Sequence, residues 1–169
     1  MGTTKSGRYL NTNGSRRSVS DYALVHSNEG TFAWKQIRRD GKPPKQIRLA
    51  SGSHGQYGMD LLDKYHIKYN VTKTWSNGVR VGNVPDHKDK RKAKDNNQSW
   101  FPKAWTAKDI KRAGEHVASL KYNRNTPDGK AVFGVYKGVR VSVIRTKGRI
   151  ATIFPDLDQS FVIKKGKKK

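Results

Sequence analysis

Three segments near the C-terminal end alternate β-branched and polar residues, and this pattern limits the possible folds more than any other feature of the chain. They span residues 131–136, 139–145 and 149–154, with Lys137-Gly138 and Lys147-Gly148 in the links between them. A period of two predicts strands with one buried face, and links this short join antiparallel neighbours. We therefore predict an antiparallel β-meander.

Two earlier segments have helical spacing instead. Residues 106–120 carry apolar side chains three and four positions apart, and Thr106 with Asp109 forms a capping pair at the start of this helix. Residues 57–65 predict a second, shorter helix. Together these elements predict an α+β fold, with an N-terminal helical part followed by an antiparallel β-sheet meander.

Weaker patterns predict further strands and turns. Residues 67–84 alternate and contain Asn77-Gly78, which predicts a hairpin with a two-residue turn. Residues 32–34 and 161–163 predict a short strand and an edge strand, and residues 40–44 a turn.

Composition divides the chain into three regions. The ends are poor in apolar residues and rich in small, polar or basic ones, whereas the apolar clusters lie between them. We predict a flexible or partly ordered basic lead-in over residues 1–49, a folded domain over residues 50–163 and a basic tail over residues 164–169.

The charge of the chain narrows the class of partner. Lysine and arginine number 36 against 13 aspartates and glutamates, a formal net charge of +23. Such a surplus attracts nucleic acid, anionic lipid or an acidic protein. No apolar run reaches the length of a membrane span, and the first residues lack the apolar stretch of a signal peptide, so we expect no membrane insertion. The absence of cysteine excludes disulfides, zinc–thiolate sites and thiol nucleophiles.

Two histidines stand in settings that suit acid–base chemistry, since imidazole holds or releases a proton near neutrality. His54 lies between Gly52-Ser53 and Gly55, and glycines let backbone N–H groups approach a phosphate closely. His87 precedes a cationic run that suits a polyanionic backbone. The run contains Lys88, Lys90, Arg91, Lys92 and Lys94. An ordinary turn and a solvated charged loop are the alternative interpretations.

Two further segments add candidate ligand contacts. Lys103 lies between Phe101 and Trp105, which restricts its geometry as a phosphate-clamping cation requires. Thr152 and Phe154 end the last predicted strand, where a hydroxyl can bond a base edge and a ring can stack on a base or sugar. The alternatives are core aromatics beside an exposed lysine, and a surface threonine beside a core phenylalanine.

Taken in order, these segments resemble the bacterial EndoU nuclease domain, which is commonly the C-terminal toxin module of polymorphic and contact-dependent inhibition systems. The resemblance covers roughly residues 50–156. It rests on residues 77–87, on Trp100-Phe101-Pro102 and on Thr152-Ile153-Phe154-Pro155. It implies a helical part followed by an antiparallel sheet, and cleavage of single-stranded RNA, often at uridines, to a 2′,3′-cyclic phosphate.

The resemblance also implies roles for single residues. His54 and His87 match the two catalytic histidines, with His87 as base and His54 as acid, and Lys103 matches the catalytic lysine. Thr152 matches the residue that contacts uracil, and Phe154 stands where many relatives have a tyrosine that packs on the sugar. Lys88 and Lys90 are expected to attract the RNA backbone.

Two departures from the family pattern are visible. The two histidines are farther apart than in many family members, which makes His66 a back-up candidate, although its place at the start of an alternating strand favours a structural role. Ser53 stands where a glycine is common.

The implied reaction needs no metal, because the ribose 2′-OH of the substrate is the nucleophile. We therefore expect no metal site and no cofactor; stimulation by Mn²⁺ is reported for some relatives, but the sequence has no carboxylate-rich cluster. The expected partners are an RNA substrate and an acidic cognate immunity protein. The expected place of action of this secreted or delivered effector is the cytoplasm of a target bacterium. Three alternatives stay open: a non-catalytic basic RNA-binding domain, a ribosome-associated or DNA-binding protein, and a membrane-lytic toxin.

Overall fold

The computed structural model describes residues 14–36 and 45–167. Within this part of the chain, four helices and eight strands confirm the α+β class. In chain order they are α1 (Asp21–Asn28), β1 (Thr31–Gln36), β2 (Lys45–Ser51), α2 (Gln56–Lys64), β3 (Asn70–Thr74), β4 (Arg80–Asn83), a 3₁₀ turn (Lys90–Ala93), β5 (Gln98–Trp100), α3 (Ala107–Ser119), β6 (Val132–Tyr136), β7 (Val139–Thr146), β8 (Arg149–Pro155) and α4 (Ser160–Lys167).

The predicted meander is confirmed, because β6, β7 and β8 pair antiparallel in sequence order. Both links are two-residue turns with positive φ at each residue: 48° and 75° at Lys137 and Gly138, and 53° and 76° at Lys147 and Gly148. This is the type I′ geometry, whose twist matches that of the flanking strands. The other described strands form the sheet β3-β4-β5 and the hairpin β1-β2, both antiparallel.

Two hydrophobic clusters meet at β5. The larger one lies between α3 and the meander and contains Ile110, Val117 and Ile153. The smaller one packs α2 against Leu49 of β2 and Trp100 of β5. The neighbours Trp100 and Phe101 are both fully buried, Trp100 in the smaller cluster and Phe101 in the larger one. Burial of a large apolar side chain contributes roughly 1.5–3 kcal/mol, so this pair of residues fixes the chain between the clusters.

Both predicted helices are present. In α3 the Thr106 hydroxyl accepts the Asp109 N–H at 3.2 Å, and the Asp109 carboxylate accepts the Thr106 N–H at 2.8 Å, which confirms the capping pair. Residues 161–163 belong to α4, so the predicted edge strand is wrong. The reason is local: the Asp158 carboxylate accepts the Ser160 N–H at 2.9 Å and starts a helix there.

The predicted hairpin is confirmed as β3-β4, but the two-residue turn is wrong. The connection spans residues 75–79, with the Trp75 N–H donating to Val79 and the Gly78 N–H donating to Trp75. The side-chain amide of Asn77 instead makes a long-range hydrogen bond, donating to the Gly138 carbonyl at 3.0 Å.

The folded body also includes elements from the predicted lead-in. α1, β1 and most of β2 precede residue 50, and β1 confirms the strand predicted at residues 32–34. The Ile153 N–H of β8 donates to the Ser27 hydroxyl of α1 at 3.0 Å, which ties α1 to the meander. The turn predicted at residues 40–44 lies outside the described residues. Among the helices of the described segments, none is long and apolar enough to cross a membrane.

Candidate active site

The loop between β2 and α2 (residues 52–55) is hydrogen-bonded to the end of α1 through three consecutive residues. The N–H groups of Ser53, His54 and Gly55 donate to the carbonyls of His26, Ser27 and Asn28 at 3.1, 2.6 and 3.1 Å. The last turn of a helix leaves its carbonyls without intrahelical partners, and here the loop supplies the donors. The sequence predicted that these N–H groups would bind phosphate. The structure instead uses them to hold His26 and His54 in fixed relative positions.

This docking requires a left-handed backbone at two consecutive residues. Gly52 has φ +70°, and a Cβ placed there would lie 2.1 Å from the His26 carbonyl oxygen. Ser53 has φ +68°, a conformation that costs a side-chain-bearing residue energy. Glycine adopts this left-handed conformation without strain, whereas Ser53 does not.

A cavity of about 480 Å³ opens beside this loop. We call it the histidine cavity. It is lined by His26, Ser51, Gly52, His54, Arg91, Lys92, Asn97, Ile144, Thr152, Phe154 and Leu157. Two imidazoles, two cations, a threonine hydroxyl and an aromatic ring therefore line one space, although they come from four separate parts of the chain.

His54 is buried, with 3% of its surface exposed. Its Nδ1 lies 2.7 Å from the Ser99 carbonyl oxygen, so the hydrogen-bond network assigns the proton to Nδ1 and leaves Nε2 as the basic nitrogen. Burial and then the charge of Lys92 hold the pKa of His54 well below its ordinary 6.5. The imidazole is consequently neutral at pH 7 and suited to accept a proton.

His26 is half-buried at the end of α1, and its Nδ1 lies 3.4 Å from the Thr31 hydroxyl. Burial and then Lys92 lower its pKa. His26 also lowers the pKa of His54 through its charge. The two rings are thus electrostatically coupled across the histidine cavity.

Lys92 is the cation that acts on each of these imidazoles. It is half-buried in the 3₁₀ turn, and its carbonyl accepts the Val84 N–H at 3.0 Å. Burial lowers its pKa, while Asp89 acts in the opposite direction. Lys92 thus combines a fixed backbone position with a place in the lining of the histidine cavity.

His87 is not among the residues that line the histidine cavity. It is buried, with 2% exposed, and its Nδ1 accepts the Asp89 N–H at 2.8 Å. Asp89 in turn caps the 3₁₀ turn by accepting the Arg91 N–H. Burial and the charge of Lys92 lower the pKa of His87 to about 4, so the neutral ring that this hydrogen bond requires is the form present at pH 7. His87 thereby positions the turn that carries Lys92.

The predicted catalytic lysine lies elsewhere. Lys103 is exposed in the turn between β5 and α3 and is not among the residues that line the histidine cavity. Lys88 and Lys90 are exposed around the 3₁₀ turn and do not line it either. The alternative histidine, His66, is exposed after α2.

The predicted substrate contacts on β8 lie together with His54. Thr152 and Phe154 both line the histidine cavity, and the Phe154 ring lies 5.5 Å from the His54 ring, centroid to centroid. Between them, Ile153 points into the core and bonds to α1. The alternation along β8 therefore aims Thr152 and Phe154 at the cavity.

Sequence reasoning singled out His54, Thr152 and Phe154 but missed His26 and Lys92 as cavity residues. The residues around His26 have no unusual composition. The feature that could have identified His26 is that it is a histidine in the last turn of a helix. Lys92 was one of five adjacent cations. Only burial distinguishes it from the others, and burial is a property of the fold.

No group of three or more histidine, aspartate or glutamate side chains in residues 14–36 and 45–167 is arranged to hold a metal ion.

Comparisons with known proteins identify the family. A model of the bacterial EndoU nuclease family matches residues 26–157 of this 169-residue chain. The match begins at His26, so it includes the end of α1 and extends beyond the region of resemblance found in the sequence. The searches of curated proteins and of solved structures gave no match. The matched region contains all the residues that line the histidine cavity. Because the match covers more than half of the chain, the chain belongs to the bacterial EndoU nuclease family.

Proposed function

We propose that the chain cleaves single-stranded RNA in the histidine cavity by transesterification, leaving a 2′,3′-cyclic phosphate. Family membership supports an endoribonuclease with RNA as its substrate. The observation that carries the proposal is the convergence of His26, His54 and Lys92 on one cavity.

His54 acts as the general base in this proposal. Its low pKa and its Nδ1 bond to Ser99 leave Nε2 unprotonated and able to take the proton of the ribose 2′-OH. The resulting oxyanion attacks the adjacent phosphorus, and the bond to the 5′-oxygen of the next nucleotide breaks. His26, the more exposed imidazole, protonates that departing oxygen. Lys92 stabilises the charge that develops on the phosphoryl oxygens.

The nucleotide that supplies the 2′-OH lies against β8. The Thr152 hydroxyl bonds an edge of its base, with uracil preferred, and Phe154 packs on its sugar. Lys88 and Lys90 attract the backbone outside the cavity. The nucleophile belongs to the substrate, so we propose a reaction independent of added metal.

Paired variants test the catalytic assignment. The substrate is an oligonucleotide with a single uridine, incubated with chelator, and the readout is the rate at which cyclic-phosphate ends form. We expect His26→Asn and His54→Asn each to lose roughly 10²–10⁴-fold in rate, the usual contribution of an acid or base. Lys92→Met should lose a comparable factor.

The matched variants are His87→Asn and Lys103→Met. The asparagine side chain of His87→Asn would keep an acceptor for the Asp89 N–H, and Lys103 is exposed, so both variants should retain most of the activity. The assignment is wrong if these two variants are inactive while His26→Asn and Lys92→Met are not. A product with a 3′-hydroxyl end and no cyclic phosphate would contradict the chemistry itself.

We also propose that the domain is a toxin delivered into the cytoplasm of a target bacterium and neutralised by an acidic immunity protein. The net charge of +23 supports an acidic partner. Expression in bacteria should stop growth with wild type and not with His54→Asn. An acidic protein that restores growth should block cleavage in vitro, with an affinity that falls as salt rises. Growth unaffected by the wild-type domain would refute the toxin role.

A further inference from the structure

A second cavity adjoins the histidine cavity and shares His26 with it. This groove, of about 420 Å³, runs between α1 and the β7–β8 turn. We call it the tyrosine groove, after Tyr22, one of its lining residues. His26 thus lines two neighbouring cavities, and each of them is large enough for part of a nucleotide.

The tyrosine groove combines an aromatic ring with cations, the two kinds of group that bind single-stranded nucleic acid. Tyr22 has 64% of its surface exposed, and Val25 and Ile150 add apolar lining. Lys147 in the β7–β8 turn and Arg149 at the start of β8 are both exposed and also line the groove. Within the described part of the chain neither cation forms an ion pair. An aromatic platform beside cations binds a base by stacking and a phosphate by charge.

The turn holds these cations in a defined place. It has the type I′ geometry described above, and the Gly148 N–H donates to the Asp128 carboxylate at 2.8 Å. Lys147 on this anchored turn and Arg149 on the strand that follows it have a fixed backbone, so they lose less conformational freedom on binding than cations on a free loop would.

We infer that the tyrosine groove binds the nucleotides on the 3′ side of the cleaved bond, with the first base on Tyr22 and the next phosphate on Lys147 and Arg149. This rests on the proposed function. The nucleotide against Thr152 and Phe154 supplies the 2′-OH, so the nucleotide beyond the reacting phosphate is the one that leaves. His26, which protonates the leaving oxygen, lines both cavities and lies at that crossing point.

The test uses DNA oligonucleotides with a single ribouridine, so that cleavage occurs at one position. A short substrate ends one nucleotide after the uridine, and two longer ones add three nucleotides on the 3′ or on the 5′ side. For wild type, the 3′ extension should raise kcat/KM more than the 5′ extension. Lys147→Met with Arg149→Met should remove most of the gain from the 3′ extension, about tenfold.

Tyr22→Ala should lower kcat/KM on every substrate by about tenfold, the order expected for loss of one stacked base. Tyr22→Phe keeps the ring and should stay close to wild type, which separates stacking from any effect of the substitution on folding. Tyr122→Ala and Lys130→Met change an exposed tyrosine and lysine of a different cavity, along β6, and should change nothing.

The outcomes separate this inference from the proposed function. If wild type cleaves but Tyr22→Ala and the Lys147/Arg149 variant match wild type, the inference is wrong and the proposed function stands. The same holds if the Lys147/Arg149 variant affects 5′-extended and 3′-extended substrates alike. If wild type cleaves none of the substrates, the proposed function fails. Anisotropy with a 2′-O-methyl uridine oligonucleotide, which cannot react, then still reports whether the groove binds the 3′ nucleotides.

Discussion

Acidification should destabilise the domain through His87 well before its carboxylates titrate. The folded state holds the pKa of His87 at about 4, against 6.5 in an unfolded chain. A histidine with a depressed pKa contributes stability that is complete above pH 6.5 and is lost as pH falls, because the unfolded state binds the proton more readily. From these two pKa values the loss is about 2 kcal/mol at pH 5 and about 3 kcal/mol at pH 4.

The carboxylates act in a different pH range. Asp89 bonds to Arg91, which lowers its pKa to about 2, and the pKa values of Asp109 and Asp158 are also lowered. Their contributions are present above pH 3.8 and are lost below it. Between pH 6.5 and 4 the histidines therefore dominate, and His54 adds to the loss with the same sign.

Urea unfolding followed by the fluorescence of the four tryptophans measures this loss. The free energy of unfolding should fall by several kcal/mol between pH 7 and pH 4.5. His87→Asn keeps the acceptor for the Asp89 N–H but cannot titrate, so its curve should be flatter by the amount calculated above. His66→Asn is the matched control, because His66 is exposed and has φ +57°, which asparagine tolerates. If the curve of His87→Asn runs parallel to that of wild type, the reasoning is refuted.

Further predictions concern the rate and the loop. His54 as base and His26 as acid both have lowered pKa values. As pH rises, kcat/KM should therefore begin to decline already below pH 6.5, because His26 loses its proton, and Lys92→Met should move this decline to higher pH. A pH profile that Lys92→Met does not shift contradicts the coupling between Lys92 and the histidines. Gly52→Ala should lower the free energy of unfolding by at least about 1 kcal/mol and remove most of the activity. Gly129 also has a positive φ, but nothing lies near its Cβ position, so Gly129→Ala should keep the activity. Equal activities in the two variants would show that the contact with His26 is unimportant. Treatment with chelator should leave the cleavage rate unchanged, and a loss restored by a divalent metal would contradict the metal-independent mechanism.

Local patterns predicted much of the fold because the forces that form those elements are local. The capping pair Thr106/Asp109 and the β6–β8 alternation act between residues close in sequence. The same reasoning failed at residues 161–163, where the Asp158 carboxylate overrides the strand pattern, and at Asn77, which bonds to a distant carbonyl. In each case one specific hydrogen bond decided the outcome.

The sequence by itself determined the α+β class and the attraction to polyanions, and it identified His54, Thr152 and Phe154 as candidate site residues. Only the tertiary structure decided that His26 and Lys92 line the same cavity as His54, that His87 is buried outside that lining, and that Lys103 is exposed. The physical reason is that the loop around His54 docks on the end of α1 through hydrogen bonds between segments distant in sequence. Burial in the fold then distinguishes Lys92 from the other cations of residues 88–94, and the sequence of that run does not predict which cation is buried.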